Sequence, residues 1–116
     1  MLRTARVLER EDAVAAVRAA IALADEAAEA GDAGALEAQV RANPDDHQAR
    51  FDLAVALAGS GSREQAVEHL MAILRADRDW NEGAARTKLL SFFDAWGPKD
   101  PATIAGRRKM SSLLFS

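Results

Sequence analysis

The side chains that could carry out chemistry in this sequence are few, and their spacing does not bring them together. His47 and His69 are the two histidines, and the chain has no cysteine. Metal sites need several histidine, cysteine or carboxylate ligands at characteristic short spacings. We therefore predict that both histidines are surface or helix-cap residues, and that the chain holds no metal, no disulfide and no cofactor.

Acid–base and phosphate chemistry are also not favoured by the residue pattern. Carboxylates such as Asp25 and Glu26 fall at helix ends or on polar faces, and no nucleophile accompanies them. The stretch Gly59-Ser60-Gly61 lacks the Lys-Ser/Thr pair of a phosphate-binding loop, so we interpret it as a turn between two helices. The sequence predicts that this chain is not an enzyme.

Charge and hydropathy exclude several classes of partner. The formal net charge is −3, and an acidic body disfavours the phosphate backbone of nucleic acids. Arg107-Arg108-Lys109 is the one basic cluster, and it also complements the dipole at a helix C-terminus. No long apolar run or secretory signal is present. We therefore predict no nucleic-acid partner, no membrane partner and a cytoplasmic location.

The composition predicts that helices position all of these residues. Alanine, the strongest helix former, dominates the sequence, while only 3 prolines and 7 glycines occur. Asn43 and Asp77 begin similar acidic helix terminators that lie 34 positions apart, with the turn at Gly59-Ser60-Gly61 between them. A helical hairpin repeated at this period is typical of a tetratricopeptide repeat (TPR). We therefore predict an all-α, TPR-like, right-handed stack of about six helices in three hairpins.

Residues 1–116 are predicted to form a single TPR-like helical domain. The predicted parts are a lead-in at 1–10, a first hairpin at 11–42, a central TPR hairpin at 43–80 and a C-terminal hairpin with a capping helix at 81–116. Repeats of this kind bury their apolar faces by stacking on neighbours, and their remaining surface binds other proteins. The fold class therefore predicts protein binding, with weak self-association as a further possibility.

Two further predictions concern the first and the fourth helix. The first helix is predicted to run from near Glu11 to Ala30. Its apolar face is predicted to consist of Val14, Val17, Ile21 and Ala24, continued by Ala28, because their spacing is that of one helix face. The fourth helix is predicted to open with a Ser62-x-x-Gln65 capping box, in which each side chain accepts from the other residue's free backbone N–H.

The C-terminal segment is the candidate binding site. It combines basic and apolar side chains in a terminal amphipathic helix. The candidate protein-binding residues are Arg107, Arg108, Met110, Leu113, Leu114 and Phe115. Two compatible interpretations stay open: the segment caps the stack against the fifth helix, or it lies in a groove of another protein.

The tail, the hairpin Glu64–Leu70 and the Gly97–Pro101 linker, together with the stretch Leu36–Ala58, resemble one known family. They are similar to the C-terminal part of YbbN/CnoX-type thioredoxin-like co-chaperones. The resemblance covers about residues 33–116 well and 1–32 loosely. The thioredoxin-fold domain of that family is not part of these residues. The chain is therefore expected to be either a C-terminal piece or a stand-alone relative, and no redox activity is assigned to it.

This resemblance implies a specific function. Such a protein would be a holdase that binds unfolded client polypeptides and docks on a GroEL-type chaperonin through its C-terminal helix. Apolar positions on the inner faces of the first, third and fifth helices would contact the clients. The alternative is a generic TPR scaffold or adaptor that recognises a peptide or associates with itself.

Overall fold

Alanine-rich stretches separated by glycine, proline and Asx residues fold into six α-helices in the computed structural model, which describes the backbone of residues 2–115 and the side chains of residues 14–115. The helices are α1 (Leu2–Ala30), α2 (Ala33–Ala42), α3 (His47–Gly59), α4 (Arg63–Ala76), α5 (Ala84–Trp96) and α6 (Pro101–Leu114). A 3₁₀ turn, Trp80–Gly83, precedes α5. No strand occurs within residues 2–115, and the predicted all-α class is confirmed.

Aspartate side chains cap several of the helices. The Asp46 carboxylate accepts a hydrogen bond from the Ala49 backbone N–H at 3.0 Å at the start of α3. At the start of α6 the Asp100 carboxylate accepts from the Ala102 N–H at 2.9 Å, and Pro101 occupies the first turn, where its missing donor is not needed.

Two predictions about helix starts differ from the structure. The first helix begins at Leu2 and not near Glu11. Ser62 occupies the N-cap position of α4, but its side chain makes no capping hydrogen bond, so the predicted capping box was wrong. The fifth helix begins at Ala84, directly after the turn Trp80–Gly83.

That turn has an unusual backbone. Asn81 and Glu82 have φ values of 48° and 58°, in the left-handed region, and Gly83 follows at 80°. A helix cannot continue through such residues, since right-handed geometry requires negative φ. The turn places Trp80 against His47 and Phe51, with ring centroids 5.9 and 5.7 Å apart. Trp80 is half-buried and packs against the core cluster.

The core centres on the hairpin of α3 and α4. Leu53 and Leu57 on α3 meet Leu70 and Leu74 on α4, and all of these side chains are buried. Every apolar residue of α3 is buried or half-buried, because α1, α2 and α4 pack around it. The apolar residues of α3 are therefore largely covered by the neighbouring helices.

The long helix α1 lies across both α3 and α5. Its contact with α3 is close: a Cβ added to Gly59 would lie 2.2 Å from the Cβ of Ala27. Toward α5, the Glu26 carboxylate pairs with the Lys88 ammonium, which also lies 5.9 Å from the centroid of the Phe51 ring. The first helix thus covers the elements that follow it.

The face that α1 turns inward is not the predicted one. Val14, Val17 and Ile21 are 46%, 57% and 57% exposed. Leu23 is buried in their place, and Ala27 packs half-buried beside it. The apolar stripe predicted on α1 therefore faces outward, and the close approach of Ala27 to Gly59 leaves no space for a larger side chain at that point of the inner face.

The last helix, α6, packs against α4 and α5. Ala102, Thr103 and Gly106 form its buried face. A Cβ at Gly106 would lie 2.6 Å from Cε1 of the Phe93 ring, so glycine is needed for this approach. Small residues again form the contact, which lets the helix lie close to the core.

Candidate protein-binding site

The C-terminal candidate residues fall into an inward-facing group and an outward-facing group. Met110 and Leu113 are half-buried and pack against the core cluster. The guanidinium of Arg78 donates a hydrogen bond to the Leu113 carbonyl at 2.8 Å, which satisfies one of the free carbonyls at the end of α6. These contacts fix the last turn of α6 on the stack, so the helix caps the domain.

Ionic and cation–π contacts add to this attachment. Lys109 on α6 forms an ion pair with Glu68 on α4. The hydrogen bond from Lys109 lowers the pKa of the Glu68 carboxyl below its ordinary value, although partial burial opposes the shift. The guanidinium of Arg107 lies 5.8 Å from the centroid of the Phe93 ring, a cation–π contact. Arg107 therefore contacts the buried Phe93 ring while its side chain stays exposed.

The outward-facing group is Arg108, Leu114 and Phe115. Phe115 is 83% exposed, the highest value among the exposed large apolar side chains described. Leu114 is half-buried and Arg108 is exposed. An exposed phenylalanine beside a basic helix resembles the aromatic and arginine anchors that concentrate binding energy in protein interfaces.

Arg108 belongs to a shallow groove of about 420 Å³ between α4 and α6. We call this the C-terminal groove; its lining residues are Met71, Arg75, Arg108, Lys109, Ser112 and Leu113. Met71 and Leu113 supply apolar surface, and Arg75 faces Arg108 across it. Neither arginine forms an ion pair with an acidic residue in the described part of the chain. The groove therefore suits an acidic segment with an apolar side chain.

Arg75 was not among the protein-binding residues predicted from the sequence. Arg75 lies in the last turn of α4, a position at which a basic side chain complements the helix dipole. Only the docking of α6 on α4 brings it beside Arg108. No local signal in the sequence predicts this contact, because the two residues lie 33 positions apart.

The described residues offer little for metal chemistry. They contain no group of three or more histidine, cysteine, aspartate or glutamate side chains that could hold a metal ion. His47 packs edge-on against Trp80, and His69 lies 3.3 Å from a guanidinium nitrogen of Arg50. Burial and the charge of Arg50 lower the pKa of His69, so its neutral form is favoured.

Comparison with known families identifies the repeat. The tetratricopeptide repeat family matches residues 26–115. The chain belongs to the tetratricopeptide repeat family. Its match extends from the end of α1 through α6 and therefore includes both the central hairpin and the C-terminal groove.

Relatives with similar sequences come from bacteria. An uncharacterized protein of Haemophilus influenzae is 34% identical over 99 residues, which cover 85% of this chain and 45% of that protein. An uncharacterized protein of Mycobacterium tuberculosis is 34% identical over 50 residues, covering 43% of this chain and 16% of that protein. The chain thus spans less than half the length of these relatives. No solved structure matches the chain.

Membership of this family shows the general role of the domain. TPR domains are all-helical scaffolds that bind other proteins and are typically not catalytic. The predicted protein-binding role is confirmed at this level. No helix in the described part of the chain is long and apolar enough to cross a membrane.

Proposed function

We propose that this TPR domain is the binding module of a cytoplasmic co-chaperone that holds unfolded client polypeptides and docks on a GroEL-type chaperonin through the end of α6. The observation that carries the docking proposal is the 83% exposure of Phe115 directly after a helix whose last turns are packed through Met110 and Leu113. The resemblance of the tail to YbbN/CnoX-type proteins supplies the identity of the partner.

The separation of α6 into residues that pack on the stack and residues that stay exposed supports docking through the exposed side. Lys109, Met110 and Leu113 attach the helix to the stack, which holds Arg108 and Phe115 in a fixed position. A preorganised anchor binds with less loss of conformational entropy than a flexible tail. The proposed contact residues are therefore Arg108, Leu114 and Phe115, with Arg75 added from α4.

The proposal is tested by binding of the purified domain to a purified GroEL-type chaperonin, followed by biolayer interferometry. We expect Phe115→Asp and Arg108→Glu each to weaken binding about tenfold or more, as is usual for interface anchors. Arg86→Glu is the matched control, because Arg86 is exposed on α5, away from the tail. Unchanged binding in the Phe115→Asp, Arg108→Glu double variant would refute the docking role.

Client holding is tested separately by suppression of aggregation of a chemically unfolded test protein. We expect suppression by the wild-type domain and by the Arg108→Glu variant, since the chaperonin contact is not needed for holding. Aggregation that proceeds unchanged in the presence of excess domain would contradict the holdase role.

The alternative function is a scaffold that binds an acidic peptide. The C-terminal groove favours it, because Arg75 and Arg108 flank apolar surface there. Salt-sensitive binding of an acidic, leucine-containing peptide by a domain that does not bind the chaperonin would support this alternative.

A further inference from the structure

Helix α1 has two apolar faces, and the one with larger side chains points outward. The inward face is mainly alanine around the buried Leu23. The outward face consists of Val14, Val17, Ile21, Ala24 and Ala28, here called the α1 seam, and all of these residues are exposed. Scattered exposed aliphatic residues are ordinary, but a continuous row along one helix marks an interaction surface.

The spacing within the α1 seam is that of a coiled coil. Its positions alternate by three and four residues over two complete heptads, which corresponds to the a and d positions of a heptad repeat. This period keeps a straight row of side chains against a second helix. The natural occupant of the α1 seam is therefore another helix.

Charged residues beside the α1 seam indicate which helix that is. Arg18 and Asp25 are exposed, lie on the same side of the seam and are one heptad apart, with opposite charges. Equivalent flanking positions of two helices face each other when the helices are antiparallel. A second copy of α1 in antiparallel orientation therefore brings Arg18 of each copy near Asp25 of the other. A parallel copy would instead place these charges against Ala20 and Ala27.

Side-chain size agrees with the same arrangement. With a two-fold axis at Ile21, the isoleucines of the two copies meet, and Val14 lies opposite Ala28. Val17 then lies within one residue of Ala24, and Arg18 within one residue of Asp25. Large residues meet small ones on both sides of the axis, which allows two helices to interdigitate without voids.

We propose that the domain forms an antiparallel homodimer through the α1 seam, with its two-fold axis at Ile21 and two symmetric Arg18–Asp25 ion pairs. Such an interface is isologous and closes on itself, so it does not produce filaments. The row from Val14 to Ala28 extends about 21 Å at 1.5 Å per residue. This contact is smaller than a standard stable interface, so we expect a weak dimer with a dissociation constant on the order of 100 µM.

Cysteine cross-linking tests the register directly, because the natural chain has no cysteine. Under mild oxidation, Ile21→Cys should form a disulfide-linked dimer rapidly. Val14→Cys alone should not, since its copies would be about 21 Å apart along the antiparallel helices. A mixture of Val14→Cys and Ala28→Cys should cross-link. Leu90→Cys, at an exposed site on α5, is the control for random collision. Rapid dimerisation of Val14→Cys alone would overturn the antiparallel arrangement.

Sedimentation velocity from about 10 µM to about 1 mM tests the association without cross-links. Ile21→Glu should be monomeric throughout, whereas Ile104→Glu, which adds the same charge at an exposed site of α6, should dimerise like the wild type. Arg18→Asp and Asp25→Arg should each weaken association about tenfold by placing like charges together, and the double exchange should restore it. A wild-type chain that stays monomeric up to about 1 mM, or a double exchange without recovery, would overturn the proposal.

Discussion

The central hairpin and the two outer helices bury different kinds of residue. The α3–α4 hairpin places large aliphatic side chains inside, including Leu53 and Leu70 at 1% and 0% exposure. The outer helices α1 and α6 make their closest contacts through the small residues Ala27 and Gly106 and leave Ile21 and Ile104 outside. Their larger inward residues are few: Leu23 on α1, and Met110 and Leu113 on α6. Large apolar residues are thus buried throughout the central hairpin, whereas in the outer helices some are buried and others stay exposed.

The physical reason is the difference in surroundings. A helix in the centre has neighbours on several sides, so large side chains fill the space between them. A terminal helix has neighbours on one side only. It approaches most closely through glycine and alanine, and its other face is free for binding.

The largest effect should come from a large-to-small substitution in the central hairpin. Leu70→Ala should lower the free energy of unfolding by about 2–5 kcal/mol, since it leaves a cavity at a fully buried site. Ile104→Ala on α6 should change it by less than about 0.5 kcal/mol. Urea unfolding followed by circular dichroism measures both. A comparable loss of unfolding free energy for Ile104→Ala would contradict the distinction between the central hairpin and the outer helices.

An intermediate effect should follow from adding a methyl group to the close contacts of the outer helices. Gly106→Ala and Gly59→Ala should each destabilise by about 1–3 kcal/mol, because the new Cβ meets Phe93 or Ala27 at less than a van der Waals distance.

Gly34→Ala in α2 is the matched control for these two substitutions. There a Cβ meets only the Asp32 carboxylate at an ordinary 3.6 Å, so this substitution should stabilise by up to about 1 kcal/mol through helix propensity. Thermal unfolding distinguishes the expected stabilisation by Gly34→Ala from the expected destabilisation by the other two substitutions. Stabilisation by Gly106→Ala would show that α6 does not need its close approach.

The smallest effects should appear with pH. The pKa of His69 lies below its ordinary value of 6.5 in the folded state. The stability that the neutral histidine contributes is therefore complete above pH 6.5 and is lost as the pH falls toward the lowered pKa. The pKa of Glu68 is also lowered, from 4.5, so the Glu68 contribution is present above pH 4.5 and is lost at more acidic pH.

Mild acid should thus weaken the α3–α4 contact before stronger acid weakens the α4–α6 contact. Urea unfolding at a series of pH values measures both losses of stability. The loss in mild acid should disappear in His69→Gln, and the loss at more acidic pH should disappear in Glu68→Gln. A His69→Gln variant whose free energy of unfolding still falls as in the wild type between pH 7 and the lowered pKa of His69 would contradict this assignment.

Much of the fold could be predicted from local signals. The helix terminators at Asn43 and Asp77 are short-range features, and α2 and α4 end directly before them. The turn at Gly59-Ser60-Gly61 likewise separates α3 from α4 as predicted. Such features depend on neighbouring residues in the chain, so the sequence displays them directly.

The candidate site could be predicted only in part. The tail was recognisable as basic and apolar, but its division into attached and outward residues depends on contacts with Arg78 and Glu68 on other elements. Arg75 joined the C-terminal groove only through the packing of α6 on α4. Contacts between residues distant in sequence leave no local pattern.

By itself, the sequence determined the helical class, the positions of most helix ends and the interior of the central hairpin, because periodicity and capping act over a few residues. The tertiary structure decided which face of α1 is covered and which residues of α6 stay free. Those outcomes depend on how closely two helices approach. Ala27 against Gly59, and Gly106 against Phe93, set that distance only once the helices meet.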